Sequence, residues 1–240
     1  MALQFNVLDI AVYAIILVSV AAGFYQGFLA TSANTVGYFI SLLAAWIFYG
    51  GAAQSVKAAD KIIPALLYYS ETTDMLGTVE TYRMGVAGMT EAKLDGILSN
   101  VSLPHPIGQW FGENVLGAVY AKEGIGNLGE YLSRTVAETA VNIGCFLIIF
   151  LGVYIALTIV VNAVHYVVRL PQVRMLDGTL GGVVGLLRGV LLVFALFLVM
   201  PVVLSMLPVQ QVTDIVQASH TASFYYEHNF LFGMIRSFIG

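Results

Sequence analysis

Charged residues and cysteines are both scarce in this chain of 240 residues. Lys, Arg, Asp and Glu together make up 10% of it, whereas an average soluble domain carries about 25%. A water-soluble exterior of ordinary charge density cannot be built from so few charges. Cys145 is the only cysteine, which excludes an intrachain disulfide and a thiolate cage for a metal.

Basic residues are also few, and they form no stripe along the chain. The 10 Lys and Arg face 14 acids, so the net charge is -4. A nucleic-acid partner is therefore excluded, because binding needs basic side chains that neutralise a run of phosphates. No Lys or Arg precedes Lys57, so the chain lacks the basic start of a secretory signal and we expect the first apolar run to be retained.

The sequence lacks the patterns that carry catalysis or metal binding. Neither a Gly-x-Ser-x-Gly elbow nor a phosphate-binding loop occurs. The histidines do not fall at metal-ligand spacing; they are His105, His165, His220 and His228. We therefore predict no enzyme, no cofactor and no metal. A lipid-modifying enzyme built on Asp9, Asp177 and Arg188 is the weakest alternative, because these residues supply no recognisable nucleophile.

Apolar residues are abundant, at 59% of the chain. A membrane-spanning helix needs about 20 mostly apolar residues, and the windows that meet this length are 5–22, 28–49, 140–164 and 180–207. We predict an all-α polytopic membrane protein with four transmembrane helices in two hairpins. The predicted boundaries are 1–51 for the first hairpin, 52–134 for an extracytoplasmic insert, 135–208 for the second hairpin and 209–240 for an interfacial tail.

The insert and the tail have amphipathic patterns. Val56, Ile63 and Leu67 recur at helical spacing, and aromatic residues such as Trp110 argue against a disordered connector. We predict short helices near the membrane surface. In the tail, the aromatic run from Phe224 to Phe238 is typical of a segment that lies flat in the interface.

The orientation rests on two arginines. Arg169 and Arg174 face only one acid, Asp177, in the short connection of the second hairpin, and basic short loops stay in the cytoplasm. We therefore predict that this connection is cytoplasmic. Both termini and residues 52–134 are then extracytoplasmic.

Four polar residues are predicted to lie within or at the ends of the spans: Asn6, Asp9, Asp177 and Arg188. A charge near the bilayer centre costs ~2.5 to 3.5 kcal/mol on insertion scales. The depths of Asp9 and Arg188 differ by about 6 Å at helical rise, so we hypothesise that they meet, directly or through water. The pair then either specifies helix packing, which we favour, or lines an ion or proton path.

Glycines recur every fourth residue in two of the spans. They leave a smooth strip where another backbone can approach closely, either within the chain or in a homo-oligomer. The predicted packing positions are Gly23, Gly27, Gly178, Gly181, Gly182, Gly185 and Gly189.

Two blocks of sequence resemble the CvpA family, the colicin V production proteins. The first runs from Asn6 to Asp9 and continues after an apolar helix as Gly23-Phe24-Tyr25-Gln26-Gly27-Phe28. The second runs from Leu176-Asp177 through a glycine-rich helix start to Arg188-Gly189. The chain departs from the family pattern in two places: Tyr25 and Gln26 replace basic residues of the turn, and Gly178 replaces a basic residue after the Asp.

The resemblance implies a protein of the bacterial cytoplasmic (inner) membrane that is linked to colicin V production. The leading hypothesis is a non-enzymatic accessory or scaffold in toxin production or export and in envelope maintenance. Its expected partners are the lipid bilayer, a second copy, and an envelope or secretion protein at the outer insert. The alternative is a small oligomeric channel or transporter with a polar path near Asp9 and Arg188.

Overall fold

The computed structural model describes residues 6–59, 61–69, 72, 74–101, 103–168, 174–206, 214–216 and 218–236. Over these residues the chain is helical, and the one β-type pairing is an isolated bridge between Gly85 and Asn127. The α-helices, in chain order, are α1 Val7–Lys57, α2 Ile62–Tyr69, α3 Val79–Arg83, α4 Glu91–Leu98, α5 Ile107–Leu116, α6 Leu128–Val168, α7 Arg174–Phe197, α8 Met200–Met206, α9 His220–Glu227 and α10 Leu231–Arg236.

Three helical stretches among the described residues are long and apolar enough to cross a membrane. They are Val7–Lys57, Leu128–Ala163 and Asp177–Met206, with mean hydropathy of 2.3, 2.7 and 2.7 over their most apolar windows. The all-helical fold and the apolar character predicted from the sequence are therefore confirmed. The first stretch joins two of the predicted windows in one run of 51 residues.

The first stretch bends sharply at Gly27. This residue has φ 82° and ψ 171°, a backbone conformation that is essentially restricted to glycine. The Thr31 hydroxyl lies 2.7 Å from Gly27 O and also 3.3 Å from Gly23 O. Residues eight apart in a straight helix are separated by about 12 Å, so the second contact requires the chain to turn back.

Contacts with α7 show that the two arms of α1 lie side by side. A Cβ built on Gly189 would lie 3.1 Å from Ile16 Cα, and the Tyr38 hydroxyl donates to Leu191 O at 2.6 Å. Ile16 and Tyr38 would be about 33 Å apart along one straight helix. We therefore describe α1 as a hairpin with a first arm, residues 7–26, and a second arm, residues 28–57.

Aromatic side chains pack the second arm against α6. The ring centroids of Tyr38 and Phe150 are 5.1 Å apart, and those of Tyr49 and Phe146 are 5.9 Å apart. The residue numbers rise on one helix as they fall on the other, so the two helices are antiparallel. These rings are all buried and form the centre of the core of the apolar bundle.

A second hydrophobic core lies beyond the end of the bundle, in what we call the head, residues 58–138. Its buried members come from the short helices and from the start of α6: Leu76, Val86, Leu94, Ile107, Phe111, Val115, Tyr120, Leu128, Tyr131, Leu132 and Val136. The predicted boundary at residue 134 falls inside α6, because this helix begins at Leu128 and uses its first turns to build the second core.

Ion pairs fasten the head to the bundle. Lys57, at the end of the second arm, lies 3.0 Å from Glu138 of α6. Arg134 pairs with Glu138 at 3.0 Å and with Glu123 of the head at 3.1 Å. Burial, followed by the nearby Glu138 carboxylate, raises the pKa of Tyr120, whose ring lies 5.9 Å from the Arg134 guanidinium. The tyrosine is therefore neutral in this charged surrounding.

The described part of the tail packs onto both regions. Asn229 donates to Phe194 O of α7 at 2.8 Å, and the Tyr225 and Phe194 rings are 4.8 Å apart. Phe232 of α10 contacts Trp110 of the head, with 6.3 Å between ring centroids. The prediction of a segment lying flat in the interface does not include these contacts, which the polar and aromatic pattern alone could not reveal.

The predicted orientation depends on a connection that is only partly described. Arg169 and the side chain of Arg174 lie outside the part of the chain that the structure describes. The orientation therefore stays a prediction.

The bend yields a first prediction. Gly27→Ala places a side chain in a glycine-only conformation and against the Asp177 carboxylate, so it should lower the free energy of unfolding by about 1–3 kcal/mol. Thermal unfolding in detergent micelles measures the change. Gly51→Ala is the control, because a Cβ at this helical residue meets nothing within 4 Å. Equal stability of the two variants would contradict the assigned bend.

Candidate functional site

The first arm and α7 touch backbone to backbone at their glycines. A Cβ on Gly23 would overlap Gly181 O, and one on Gly181 would overlap Gly23 O. A Cβ on Gly185 would lie 2.5 Å from Ser19 O, closer than real side chains approach. No residue larger than glycine fits these three positions without moving the helices apart.

The remaining glycines of the predicted strip are less crowded. A Cβ on Gly189 would lie 3.0 Å from Ser19 Cβ, and one on Gly178 would lie 3.3 Å from Phe24 O. Gly182 is at ordinary van der Waals distance, with Val20 Cγ1 at 3.8 Å. Close approach therefore centres on Gly23, Gly181 and Gly185.

This close approach brings Arg188 of α7 to Ser19 of the first arm. Ser19 Oγ donates to Gly185 O at 2.8 Å, and Arg188 Nε donates to Ser19 Oγ at 3.2 Å. Arg188 Nη2 is 3.5 Å from Ser19 O. The guanidinium, which is 7% exposed, therefore receives neutral oxygen partners from the first arm.

Asp177 lies at the opposite end of α7, beside the bend. Its Oδ1 accepts a hydrogen bond from Phe28 N at 2.9 Å. Phe28 is the first residue of the second arm, so this N–H has no partner within its own helix. A carboxylate at a helix N-terminus also interacts favourably with the helix dipole. Asp177 thus stabilises the start of the second arm.

Asp9 has the same relation to α9. Its Oδ1 accepts from Ser219 Oγ at 2.7 Å and from Thr221 N at 3.0 Å, and the Thr221 hydroxyl donates to it as well. Ser219 in turn accepts from Ala222 N at 3.0 Å. The buried carboxylate therefore stabilises the N-terminus of α9 and holds the tail to the first arm.

Asn6 completes this attachment. Its backbone N lies 3.4 Å from Asp9 Oδ2, and its side-chain amide donates to Ile215 O. Asn6 and Asp9 together bind backbone and hydroxyl groups of the tail from the first turn of α1. They are a structural clamp between sequence positions about two hundred residues apart.

The hypothesised contact between Asp9 and Arg188 is not present. Arg188 bonds to Ser19, which lies ten residues, or about 15 Å of helix, from Asp9. Neither a direct bond nor one bridging water spans that distance. The depth estimate failed because it had no knowledge of the tail, which supplies the partners of Asp9.

Three residues of these contacts were missed in the sequence: Ser19, Ser219 and Thr221. Ser19 carries a weak signal, since a small hydroxyl residue four positions before Gly23 continues the smooth face of the first arm. Ser219 precedes α9 at a position where serine is a preferred helix cap. Nothing in the sequence pairs either residue with its distant partner.

A cavity of about 420 Å³ adjoins Arg188. Its lining comes from the first arm, from α6 and from α7, and consists of Ala14, Ile15, Val18, Ser19, Ala22, Tyr154, Arg188 and Leu192. A second cavity of about 330 Å³ lies in the head, between Tyr82, Glu130, Arg134 and neighbouring residues. No group of three or more His, Cys, Asp or Glu able to hold a metal occurs in the described part of the chain.

Residues 111–229 match the family model described as Colicin V production protein. Residues 111–229 belong to the Colicin V production protein family. The resemblance predicted from the sequence is thereby confirmed. The matched part of the chain contains Asp177, Arg188 and the glycines of α7, whereas Asp9 and the glycines of the first arm precede it.

The family match and the long apolar helices together identify the chain as a membrane protein linked to colicin V production. The family is not a known enzyme family. No curated protein and no solved structure matches the chain.

The close contact at the glycines predicts that glycine-to-alanine substitutions lower stability inside the contact and do not lower it outside. Gly185→Ala should lower the free energy of unfolding by about 1–3 kcal/mol, because the new methyl group meets Ser19 O. Gly152→Ala, at a helical position with nothing within 4 Å, should leave stability unchanged or raise it, because alanine favours the helix. Thermal unfolding in micelles compares them. A stable Gly185→Ala variant would show that the helices are not in close contact.

The clamp predicts release of the tail in Asp9 variants. Asp9→Ala removes the acceptor of the Thr221 amide and should cost about 0.5–2 kcal/mol, as loss of a helix cap does. Hydrogen exchange at residues 221–224 should accelerate, and Asp9→Asn should give a smaller effect because it keeps one acceptor oxygen. Asp95→Ala, at an exposed residue of the head, is the control. Unchanged exchange in Asp9→Ala would contradict the clamp.

Proposed function

We propose that the protein is a non-enzymatic accessory or scaffold of the bacterial cytoplasmic membrane that supports colicin V or other toxin production or export and envelope maintenance. The observation that carries this proposal is the head. A separate hydrophobic core on the end of an apolar bundle is an arrangement suited to presenting a folded surface at the membrane.

We propose four membrane crossings, a count that the hairpin in α1 supports. Its first arm contains 20 residues and its second arm 30, and about 20 residues span a hydrocarbon core of roughly 30 Å. The apolar part of α6 and the glycine-rich α7 supply the other two crossings. The bend at Gly27 and Asp177, in the first turn of α7, then lie on one side, and the head and tail on the other.

We assign the head and tail to the extracytoplasmic side. The assignment is supported by the sequence argument from Arg169 and Arg174. It gives the outer side a compact surface with exposed apolar residues, among them Val79, Leu116 and Val119, which are 59%, 45% and 43% exposed.

The head is suited to a mechanical or docking role because it is fastened at three places. The Lys57–Glu138 pair joins it to the second arm, α6 continues from the head into the bundle without a break, and Phe232 of the tail packs against Trp110. A partner bound to the head is therefore held in a fixed position relative to the spans.

A channel or transporter is the second candidate, favoured by the polar groups in the cavity at Arg188. A path near both Asp9 and Arg188 would have to join residues about 15 Å apart along the first arm, and Asp9 is engaged by the tail. This candidate is therefore ranked lower. Ion flux in liposomes that contain purified protein, abolished in Asp9→Asn, would decide in its favour.

Site-specific photo-cross-linking tests the accessory role. A photoreactive residue at Val119, in the exposed part of the head, should be cross-linked in living cells to an envelope or secretion protein that mass spectrometry identifies. The same residue at Leu17, which is 67% exposed on the first arm, should not yield that product. Cross-links only to further copies of the chain at both positions would contradict the proposal.

A further inference from the structure

We propose that the cavity at Arg188 binds the carboxylate of a lipophilic monoanion, such as a long-chain fatty acid, that enters from the bilayer. The inference rests on the proposed membrane-spanning arrangement. It does not depend on the accessory role or on a protein partner at the head. Its basis is a buried charge with no counter-ion, next to an apolar cavity.

The charge of Arg188 is uncompensated within the described structure. Its hydrogen bonds go to the hydroxyl and carbonyl oxygens of Ser19, both neutral. The three ion pairs found among the described residues all lie at the junction of head and bundle, so none of them involves Arg188. A guanidinium carries five N–H donors, and Ser19 occupies two of its nitrogen atoms. Donors remain for an anion.

Arg188 lies deep in the bundle. It follows Asp177 by 11 residues, which corresponds to about 16 Å along α7, or near the middle of a hydrocarbon core of roughly 30 Å. An ionised side chain at this depth is costly, and such residues face a partner or a wet cavity. A bound carboxylate would lower that cost by forming a charge-assisted, bidentate pair with the guanidinium.

The described apolar segments have no acid left to pair with Arg188. Within the apolar segments 7–49, 140–163 and 177–206, the only acids are Asp9 and Asp177. Asp9 accepts hydrogen bonds from the tail and Asp177 from Phe28. A second copy of the chain offers the same two engaged carboxylates. A counter-ion at this depth therefore has to be supplied by something other than the acids of these segments, and we assign it to a molecule that enters from the bilayer.

The cavity selects an anion with an apolar body. Small side chains at Ala14 and Ala22 leave room along the first arm, and Ser19, Tyr154 and Arg188 are the polar residues of the lining. Val18, at the edge of the cavity, is 69% exposed, so the cavity opens sideways, toward lipid. A small inorganic anion would gain little from these apolar walls, whereas an acyl chain can lie against them with its carboxylate at Arg188.

Photoaffinity labelling of the full chain in lipid nanodiscs tests this site. The probe is a hexadecanoic acid that carries a diazirine, and labelled peptides are identified by mass spectrometry. We expect saturable labelling of the first arm and α7 that unlabelled hexadecanoic acid suppresses and its methyl ester does not. Arg188→Gln should weaken binding by about 10-fold or more, the amount expected for loss of a charged hydrogen bond.

A second variant separates the site from folding, because Arg188→Gln also disturbs the contact with Ser19. Ala14→Phe fills the cavity from an exposed position and leaves Arg188 in place, so it should abolish labelling while thermal stability is retained. Ala21→Phe is the matched control, since Ala21 is exposed on the same arm and does not line the cavity. It should bind the probe like the unmodified chain.

Three outcomes of the labelling experiment would overturn the inference. They are equal competition by the methyl ester, unchanged labelling in Arg188→Gln and Ala14→Phe, and labelling that chloride suppresses as effectively as the fatty acid. A cross-link from the cavity to an acidic helix of another protein would also overturn it. None of these results affects the cross-link expected at Val119, so failure here is distinct from failure of the accessory role.

Discussion

The contact between the first arm and α7 is the constraint on which the rest of the structure depends. Water does not drive apolar helices together inside a bilayer, so close backbone packing has to supply the attraction. Gly23, Gly181 and Gly185 permit that packing because a Cβ at each would collide with the facing backbone. Once these helices are in register, Ser19 meets Arg188 and the bend at Gly27 meets Asp177. The polar contacts are thus consequences of an apolar fit.

The two helices in this contact are related in a regular way. Each begins near a Leu-Asp pair, at Asp9 and at Asp177, and they run antiparallel. Asp177 of α7 stabilises the start of the second arm, which follows the first arm in the chain. Asp9 of the first arm stabilises the start of α9, which follows α7 in the chain. The bundle is therefore fastened at both ends by the same chemistry, a carboxylate that accepts N–H groups left free at a helix start.

The sequence predicts the parts of this fold that depend on local pattern. Apolar length identifies the helical stretches, glycines at every fourth position identify the packing strip, and the block ending at Arg188 and Gly189 identifies the family. It does not predict what Asp9 binds, because Ser219 and Thr221 lie about 210 residues away and nothing in the sequence pairs them with Asp9. Charge and depth alone paired Asp9 with Arg188, and the tail overrode that pairing with nearer donors.

Because Asp9 and Arg188 do not pair, each of the two charges needs its own explanation. Had Asp9 and Arg188 formed a pair, both would be explained as packing elements and neither would need another molecule. The Asp9 carboxylate accepts hydrogen bonds from Ser219 and Thr221 of the tail, so it has partners without a cation. Arg188 is held by neutral oxygens, which orient the guanidinium without neutralising it. A carboxylate that enters the cavity beside it is then the missing half of an ion pair, and the glycine contact that holds Ser19 in place has already positioned the arginine to receive it.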